Sequence, residues 1–509
     1  MATLSDQDLV FSFLGDPTRR PNVRRIDTHA ASVFLFGDRA LKIKRAVRLP
    51  FLDYSTLALR KAACTKEIEI NRPFAPDIYL RVAAITKAPD GSLDIDGPGS
   101  PIEYAVEMRR FDDSQTLDHL AARGHLSAGL PELLADSISA SHAVAPRAST
   151  SAWIESIPAW IDAFAASFRG SQRFVEEDVN ELRTLCHAAF SQLRPRLEQR
   201  ARDGYVRRCH GDLHLANIVV IQDKPVLFDA IEFDERIATI DVLYDLAFPL
   251  MDLLHFEQPF AANHLLNRYF STAVNDQTGG LATLPLFMTI RAAIRAQVFL
   301  ARLDRDDGDR SATLEIAESY FQLARRLIRP ATPMMIAVGG LSGTGKSALA
   351  RALAPLLGPP PGAVVLRSDV LRKHLFGVQE TERLPAAAYT PDSSLQVYQE
   401  LAKQAERVLA QGFTVIVDAV FSRDDERAAI DDLAKRLKIP LVGLFLVADL
   451  RIRQARVRDR SNDASDATES VALRQEDYEI GPLTWTQVDA SGTPETTLAR
   501  SLSLLPTSP

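Results

Sequence analysis

Short apolar runs alternate with helical patterns in the chain after Pro333. The runs MMIAV, VVLRSD, TVIVDA and LVGLFLVA are short enough for buried strands. Between two of them, residues 395–409 repeat apolar positions at helical spacing. Because strands and helices alternate, this part predicts an α/β fold with a parallel sheet and helices on both faces.

The chain before residue 330 has a different pattern. VFLFGDRALKIK, YLRVAAI and IEYAVEM predict strands, with one helix around residues 57–71. Helical patterns dominate later and are interrupted by RRCHGDLHLANIVVIQDKPVLFDAIEF, which predicts a loop and a hairpin. We therefore expect an α+β bilobal domain over residues 1–329, with a small lobe at about 20–112 and a helical lobe at about 113–329. The turn-rich IRPATP marks the boundary with a second domain over residues 330–509.

Composition narrows the class of protein. A length of 509 residues predicts two or three domains, and a formal charge of −7 argues against nucleic acid or anionic membrane as a partner. Cysteine is sparse and lacks metal-binding spacing, which favours a reducing compartment. The N-terminus lacks a signal-peptide pattern, and no run approaches the roughly 20 apolar residues of a membrane span. We expect a cytoplasmic protein; the sequence does not indicate its oligomeric state.

The segment GLSGTGKS follows a predicted strand and precedes a predicted helix. It satisfies GxxxxGK[ST], in which backbone N–H groups and a helix N-terminus bind phosphate oxygens. The lysine would contact the β- and γ-phosphates of ATP, and the serine hydroxyl would ligate Mg²⁺. The structural alternative is a glycine-rich turn with an incidental lysine. The predicted nucleotide-binding residues are Gly340, Leu341, Ser342, Gly343, Thr344, Gly345, Lys346 and Ser347.

Charged residues at later strand ends suit phosphoryl transfer. Asp418 ends the strand TVIVDA and is a candidate Mg²⁺ ligand. Asp369 ends another strand and could accept a proton from an acceptor hydroxyl, while Arg372 could hold an anionic group. In RIRQARVRDR, Arg456 and Arg460 lie four residues apart before SNDASDA, which predicts a lid. The alternatives are a helix N-cap for Asp369 and a solvated helix for the arginines.

Residues 334–502 resemble the small P-loop kinases grouped with zeta-toxin-like and polynucleotide-kinase-like proteins. The resemblance lies in GGLSGTGKS, SDVLRK, VIVDAVFSRDDER and RVRDRSNDASDA. It implies that Asp369 acts as the base and that Arg456 and Arg460 act on phosphates. It also implies that Arg423 and Arg427 hold substrate. It does not imply which acceptor is phosphorylated.

A second constellation lies in CHGDLHLAN and the following LFDAIEF. Phosphoryl transfer needs a carboxylate near the acceptor hydroxyl and oxygen ligands for Mg²⁺. Asp212, Asn217 and Asp229 supply one residue for each role. His210 and His214 are spaced for a metal site, but the nearby sequence does not complete a zinc ligand set.

This segment resembles the aminoglycoside-phosphotransferase and choline-kinase branch of the protein-kinase-like fold. The resemblance implies that Asp212 is the catalytic aspartate and that Asn217 and Asp229 bind Mg²⁺. The later IDVLYDLAF matches a structural segment, whose Asp241 and Asp245 would brace the loop.

The same resemblance extends to the small lobe. It implies a strand lysine on the ATP phosphates, Lys42 or, with a shift of register, Lys44. The helix partner would be Glu67, with Glu69 as the alternative. Two hinge residues would lie beside adenine, and these are Glu107 and Met108. The small lobe has no GxGxxG, which favours small-molecule kinases over protein kinases.

The whole chain is similar to bacterial fusions of these two kinase types. The main hypothesis is therefore a double kinase that transfers the γ-phosphoryl group of ATP, with Mg²⁺, to hydroxyls of small polar acceptors. One alternative is a single active kinase regulated by a nucleotide-binding partner domain. Another is an ATPase switch without an acceptor. A nucleic-acid 5′-kinase would need a basic channel, against the acidic balance of the chain.

Overall fold

The computed structural model describes residues 5–49, 52–148, 152–272, 277–303, 309–460 and 463–506. The chain forms two compact units. The first contains residues 1–159 and 197–252, and the second contains residues 160–196 and 253–509. Both fold classes expected from the sequence are confirmed, although the helices of residues 1–329 are divided between the two units.

The strands and helices are numbered here in chain order. The strands are β1 (Arg24–Asp27), β2 (Ala31–Phe36), β3 (Arg39–Lys44), β4 (Arg48–Leu49), β5 (Leu52–Asp53), β6 (Tyr79–Lys87), β7 (Leu93–Ile95), β8 (Ser100–Arg109), β9 (Val206–Arg208), β10 (Ile218–Ile221), β11 (Lys224–Leu227), β12 (Thr239–Asp241), β13 (Met335–Gly340), β14 (Val364–Arg367), β15 (Val415–Asp418), β16 (Leu441–Val447) and β17 (Thr486–Asp489). The helices are α1 (Asp6–Leu14), α2 (Leu57–Asn71), α3 (Leu117–Ala122), α4 (Leu130–Val144), α5 (Ala152–Ser171), α6 (Glu176–Arg202), α7 (Glu235–Ala238), α8 (Val242–His255), α9 (Pro259–Thr272), α10 (Leu284–Leu303), α11 (Arg310–Leu327), α12 (Lys346–Leu353), α13 (Ser368–Leu375), α14 (Pro391–Ala410), α15 (Asp424–Leu437), α16 (Leu450–Arg458), α17 (Glu469–Arg474) and α18 (Pro494–Leu502).

The first unit is built on an antiparallel sheet in the order β1-β2-β3-β8-β6-β7. Side chains alternate between its faces, so β3 sends Leu41 and Ile43 into the cluster that contains Val10 of α1. Val106 of β8 packs on the other face with Cys64 of α2. Because Lys42 pairs with Val106 in the ladder, Lys42 lies on the α2 face. The sheet thus directs the strand lysines toward α2.

The loop and hairpin predicted among the helices are present. The loop follows β9, and β10 pairs with β11 in an antiparallel hairpin. Strand β9 pairs with β12, which leads directly into the apolar helix α8. Most of α8 is buried, and the loop between β9 and β10 is hydrogen-bonded to this helix.

The second unit contains a parallel five-stranded sheet in the order β14-β15-β13-β16-β17. The central strand β13 is buried along its whole length, which explains its continuous apolar sequence. Ile336 and Val338 pack with Leu349 and Leu353 of α12 in one core cluster. Since all strands are parallel, their carboxyl ends meet at one edge, and loops there form the usual ligand crevice.

Long helices complete the second unit. It includes α9, α10 and α11 as well as the sheet, so the compact units divide the chain elsewhere than at residue 330. The predicted linker itself lies between the end of α11 and the start of β13. The segment 278–303 satisfies the length and hydropathy of a membrane span, contrary to the sequence expectation, but 61% of its apolar window is buried in the fold. A core helix has the same composition.

Candidate active sites

In the first unit, two lysines of β3 meet acidic side chains. The Nζ of Lys42 lies 2.9 Å from Oε1 of Glu67 and 2.6 Å from Oδ1 of Asp229. The Nζ of Lys44 lies 2.5 Å from Oε2 of Glu67 and also contacts Glu232. Lys42 therefore joins Glu67 to Asp229, whereas Lys44 joins Glu67 to Glu232. Glu69, the alternative helix partner, is exposed on α2.

The charges in this cluster stabilise one another. Burial acts to lower the pKa of Lys42, but Asp229 and Glu67 outweigh it and hold that pKa well above its ordinary value. Burial acts to raise the pKa of Asp229, but the Lys42 ammonium holds it below its ordinary value. The pKa of Glu67 is lowered in the same way, by Lys42 and Lys44 against burial. All three groups are therefore charged at neutral pH.

The backbone at Asp229 is held in a left-handed conformation, with φ of 60°. Its N–H donates to the hydroxyl of Tyr79 at 3.0 Å, and the next N–H, of Ala230, donates to Oδ1 of Asn71 at 2.7 Å. These contacts fix the carboxylate beside Lys42. Sequence reasoning missed Asn71 and Tyr79; the available signal was that Asn71 lies one helical turn after Glu67.

Asp212 and Asn217 lie together in the loop before β10. The amide nitrogen of Asn217 donates to the carbonyl oxygen of Asp212 at 2.9 Å, which leaves the amide oxygen as its metal-ligand atom. Nε2 of His214 lies 3.4 Å from Oδ2 of Asp212. Nε2 of His210 instead donates to the carbonyl oxygen of Phe228 at 2.9 Å. The Nε2 atoms of the two histidines thus have different partners, which argues against a zinc ion shared by both.

The same loop is braced by buried carboxylates. Asp245 accepts hydrogen bonds from the N–H groups of His210 and Gly211 at 3.2 and 2.9 Å. Asp241 forms a buried bidentate pair with Arg200 at 2.7 and 2.8 Å. The bracing expected of Asp245 is therefore observed, whereas the contact of Asp241 lies on Arg200 of α6, outside this loop.

The two predicted hinge residues lie on opposite faces of β8. Glu107 pairs with Leu41 in the ladder and Met108 with Ala40. Glu107 therefore points away from the Lys42 face, and its carboxylate contacts Arg39 and Arg81. The Glu107 side chain is therefore used within the sheet, and the position of both residues beside adenine stays a prediction. Met108 lies on the α2 face.

In the second unit, the segment Gly340–Ser347 connects β13 to α12. A side chain at Gly343, where φ is 85°, would place its Cβ 2.4 Å from the Arg453 carbonyl oxygen. The Lys346 ammonium donates to the Leu341 carbonyl at 3.2 Å. The Ser347 hydroxyl donates to Oδ2 of Asp418 at 2.5 Å. The structure therefore brings together a phosphate loop, a lysine and two oxygen ligands that suit Mg²⁺.

Asp369 lies in the first turn of α13, close to this loop. Burial raises its pKa, the Asp418 carboxylate adds to the rise, and Arg367 and Lys346 oppose it. Burial lowers the pKa of Lys346, against the carboxylates of Asp418 and Asp369. Asp369 is therefore a carboxyl group with the raised pKa that suits a general base.

Two further residues of this site were missed by sequence reasoning. Arg367, at the end of β14, has its Nη2 3.0 Å from Oδ1 of Asp463 and its Nε 3.4 Å from Oδ2 of Asp418. Asp463 also lies within 3.8 Å of Arg351 and 3.7 Å of Arg460. The sequence did carry a signal for Arg367, because this residue immediately precedes the SDVLRK motif. Arg367 therefore connects the end of β14 to Asp418, the candidate Mg²⁺ ligand, and to Asp463 of the predicted lid segment.

The lid arginines do not share a helical face, contrary to expectation. Helix α16 ends at Arg458, so Arg460 lies beyond it. Arg456 donates to the carbonyl oxygens of Ala490 and Gly492 at 2.8 and 2.7 Å. Its Nη1 also lies 3.4 Å from the carbonyl oxygen of Thr344. The predicted lid SNDASDA begins at residues 461–462, which lie outside the described residues.

The three predicted substrate arginines have partners within the protein. Arg372 is buried and donates to the Ala388 carbonyl at 2.6 Å. Arg427 is buried and donates to the carbonyls of Phe421 and Ile480 at 2.8 and 2.7 Å. Arg423 is exposed and pairs with its neighbour Asp425. Arg372 and Arg427 thus bind backbone carbonyls of neighbouring segments, and a substrate role for the three arginines stays a prediction.

Two family models match the chain, and each match covers residues of one of the two candidate sites. Residues 77–281 match the model of the phosphotransferase enzyme family, and residues 335–479 match the model described as an AAA domain. Relatives include an uncharacterized protein of Mycobacterium tuberculosis, Rv2004c, and one of Mycobacterium bovis, Mb2027c. Each is 28% identical over 502 residues, covering 95% of this chain and 95% of the relative.

Solved structures of two kinds are similar to the two parts. A choline/ethanolamine kinase family protein from Mesorhizobium loti is 13% identical, with a TM-score of 0.35, and covers 64% of this chain and 99% of its own. A gluconokinase from Sinorhizobium meliloti is 21% identical, with a TM-score of 0.25, and covers 34% of this chain and 92% of its own. The family matches and the two clusters agree: the chain joins a region of the phosphotransferase enzyme family to a P-loop domain, which supports a kinase or phosphotransferase.

Proposed function

We propose that the chain is a bifunctional ATP-dependent phosphotransferase, in which each unit transfers a γ-phosphoryl group to a hydroxyl of a small polar acceptor. One observation carries this proposal: two separate clusters each contain a lysine beside a carboxylate and a second oxygen ligand. In the first unit the lysine is Lys42, with Asp229 and Asn217. In the second it is Lys346, with Asp418 and Ser347.

In the first unit, Lys42 binds phosphate oxygens of ATP and is oriented by Glu67. Asp212 accepts the proton of the acceptor hydroxyl while the oxygen of that hydroxyl attacks the γ-phosphorus. The bond from that phosphorus to the β-γ bridging oxygen breaks, which leaves ADP. Asn217 and Asp229 offer the oxygen atoms that Mg²⁺ prefers, and the bound ion would neutralise phosphate charge.

In the second unit, the backbone of Gly340–Ser347 and the Lys346 ammonium bind the phosphates, and Ser347 and Asp418 would hold Mg²⁺, which would neutralise phosphate charge. Asp369 accepts the acceptor proton, for which its raised pKa is favourable. Arg367 and Arg460 add positive charge where the transferred group develops negative charge. Arg456 instead contacts the phosphate loop through the carbonyl oxygen of Thr344 and stabilises that loop.

The test uses γ-labelled ATP and a pool of cellular metabolites. We expect Lys346→Ala and Asp212→Asn each to remove a different labelled product, and the double variant to remove both. Unchanged labelling in all three variants would refute the proposal. Loss of every product in one single variant would indicate one catalytic and one regulatory site. Consumption of ATP without a labelled product would indicate an ATPase without an acceptor.

A further inference from the structure

The outer edge of the parallel sheet in the second unit is covered by side chains of α9. Strand β14 is the edge strand, so its outward N–H and C=O groups lack a neighbouring strand. Oδ1 of Asn267 accepts a hydrogen bond from the N–H of Val365 at 2.7 Å. Nδ2 of Asn267 and Nδ2 of Asn263 donate to the carbonyl oxygen of Ala363 at 3.1 and 3.0 Å.

These contacts replace a missing strand. A carboxamide carries the same donor and acceptor as a peptide group, so Asn267 can satisfy one N–H and one C=O of an edge strand. The intervening N–H, of Val364, points inward and donates to the Thr414 carbonyl at 2.9 Å. Asn263 is 1% exposed, and a Cβ at Gly362 would lie 2.8 Å from its Nδ2, so the helix lies close against the strand.

The braced strand leads directly into the P-loop site. Two residues after Val365, β14 ends at Arg367, which contacts both Asp418 and Asp463. Asp369 follows in the first turn of α13. Because the strand is only four residues long, we expect a displacement at Val365 to shift both side chains.

We propose that Asn263 and Asn267 are positioning residues of the P-loop site, which hold Arg367 and Asp369 in place through β14. This inference rests on the proposed function of that site. Helix α9 lies within the region that matches the phosphotransferase family, and β14 lies within the other matched region. Activity at the P-loop site therefore depends on a helix outside residues 330–509, and both belong to one compact unit.

The test uses the full chain with Lys42→Ala to silence the first site, and compares Asn267→Ala with the unmodified asparagine. We expect amide hydrogen exchange of the 363–369 segment to rise about tenfold, and labelled phosphate transfer to fall about tenfold or more, as for a small misplacement of catalytic groups. Nucleotide affinity should change less than turnover, because the phosphate loop does not contact α9 through these bonds.

Two variants keep the result interpretable. Arg268→Ala, on the same helix, removes the 2.9 Å pair with Glu380 instead of the bonds to β14, and should leave turnover within about twofold. Asn267→Asp keeps the volume and the acceptor for Val365 but loses the donor, so we expect an intermediate exchange rate and turnover. It also serves if Asn267→Ala does not fold.

Faster exchange with unchanged turnover would overturn the inference and leave the asparagines a merely structural role. An equal loss of turnover in Arg268→Ala would overturn it as well, as would unchanged exchange in Asn267→Ala. Lys346→Ala in the same assay separates the two proposals: if it too leaves transfer unchanged, the proposed function of the P-loop site fails and the positioning role falls with it.

Discussion

Lys42 of the first unit lies between two carboxylates, whereas Lys346 of the second contacts a backbone carbonyl. The pKa of Lys42 is raised by its partners, and that of Lys346 is lowered by burial. The carboxylates differ as well: the pKa of Asp229 is lowered and that of Asp369 is raised. The two lysines, one in each candidate site, thus lie in opposite electrostatic environments.

The difference has a physical reason. In the first unit, Lys42 and Lys44 of β3 are paired with three carboxylates, so the positive charge of both lysines is already compensated within the protein; the carboxylates are Glu67, Asp229 and Glu232. In the second unit, the phosphate loop collects N–H groups and a helix N-terminus, which favour an anion. We infer that nucleotide phosphates complete the charge balance at Lys346, whereas at Lys42 they must compete with Asp229.

The largest effects should come from the two proposed bases. Asp212→Asn and Asp369→Asn should each reduce transfer at their own site by about 10²- to 10⁴-fold, because an asparagine cannot take up the proton of the substrate hydroxyl. Transfer of label from γ-labelled ATP measures this. The controls are Asp223→Asn, in an exposed turn with positive φ that asparagine tolerates, and Asp392→Asn, exposed on α14. A base variant that retains full transfer at its site would remove that residue from the mechanism.

A smaller effect should separate the two candidate helix partners, Glu67 and Glu69. Glu67→Gln removes the charge that Lys42 and Lys44 share, and should weaken ATP binding in the first unit by about 10- to 100-fold, as for one charge-assisted hydrogen bond. Binding in the second unit should not change. Glu69→Gln, exposed on the same helix, is the matched control. Equal losses in Glu67→Gln and Glu69→Gln, measured by calorimetry, would contradict the role of the Lys42–Glu67 pair.

The smallest effect should appear in the pH dependence. A general base works only when it is deprotonated, so transfer at the P-loop site should fall as the pH drops through the raised pKa of Asp369. The charges of Glu67 and Asp229 persist to lower pH, since their pKa values are lowered. We therefore expect the P-loop site, isolated by Asp212→Asn, to show an acid limb in its rate profile above the ordinary pH range of an aspartate. A profile without such a limb would contradict the environment assigned to Asp369.

Features that depend on local sequence could be predicted. The buried parallel strands, the hairpin of β10 and β11, and the phosphate loop follow from periodicity and short motifs. The pairing of Lys42 with Glu67 followed from a family resemblance, and its geometry agrees.

Contacts between distant segments could not be read in this way. Asn71 reaches Ala230 across 159 positions, and Asn267 reaches Val365 across 98. Helical spacing placed Arg456 and Arg460 on one face, but α16 ends before Arg460. Asp459 follows at the C-cap, where a negative charge opposes the helix dipole. Burial of Arg372 and Arg427 likewise depends on loops that the sequence does not position.

The central claim, two separate nucleotide sites in one chain, is tested most directly by calorimetric titration of the intact protein with a non-hydrolysable ATP analogue and Mg²⁺. We predict two binding events for the wild type, one for Lys42→Ala and one for Lys346→Ala, with a different event lost in each, and none for the double variant. A single binding event in the wild type, or the loss of the same event in both single variants, would contradict the account.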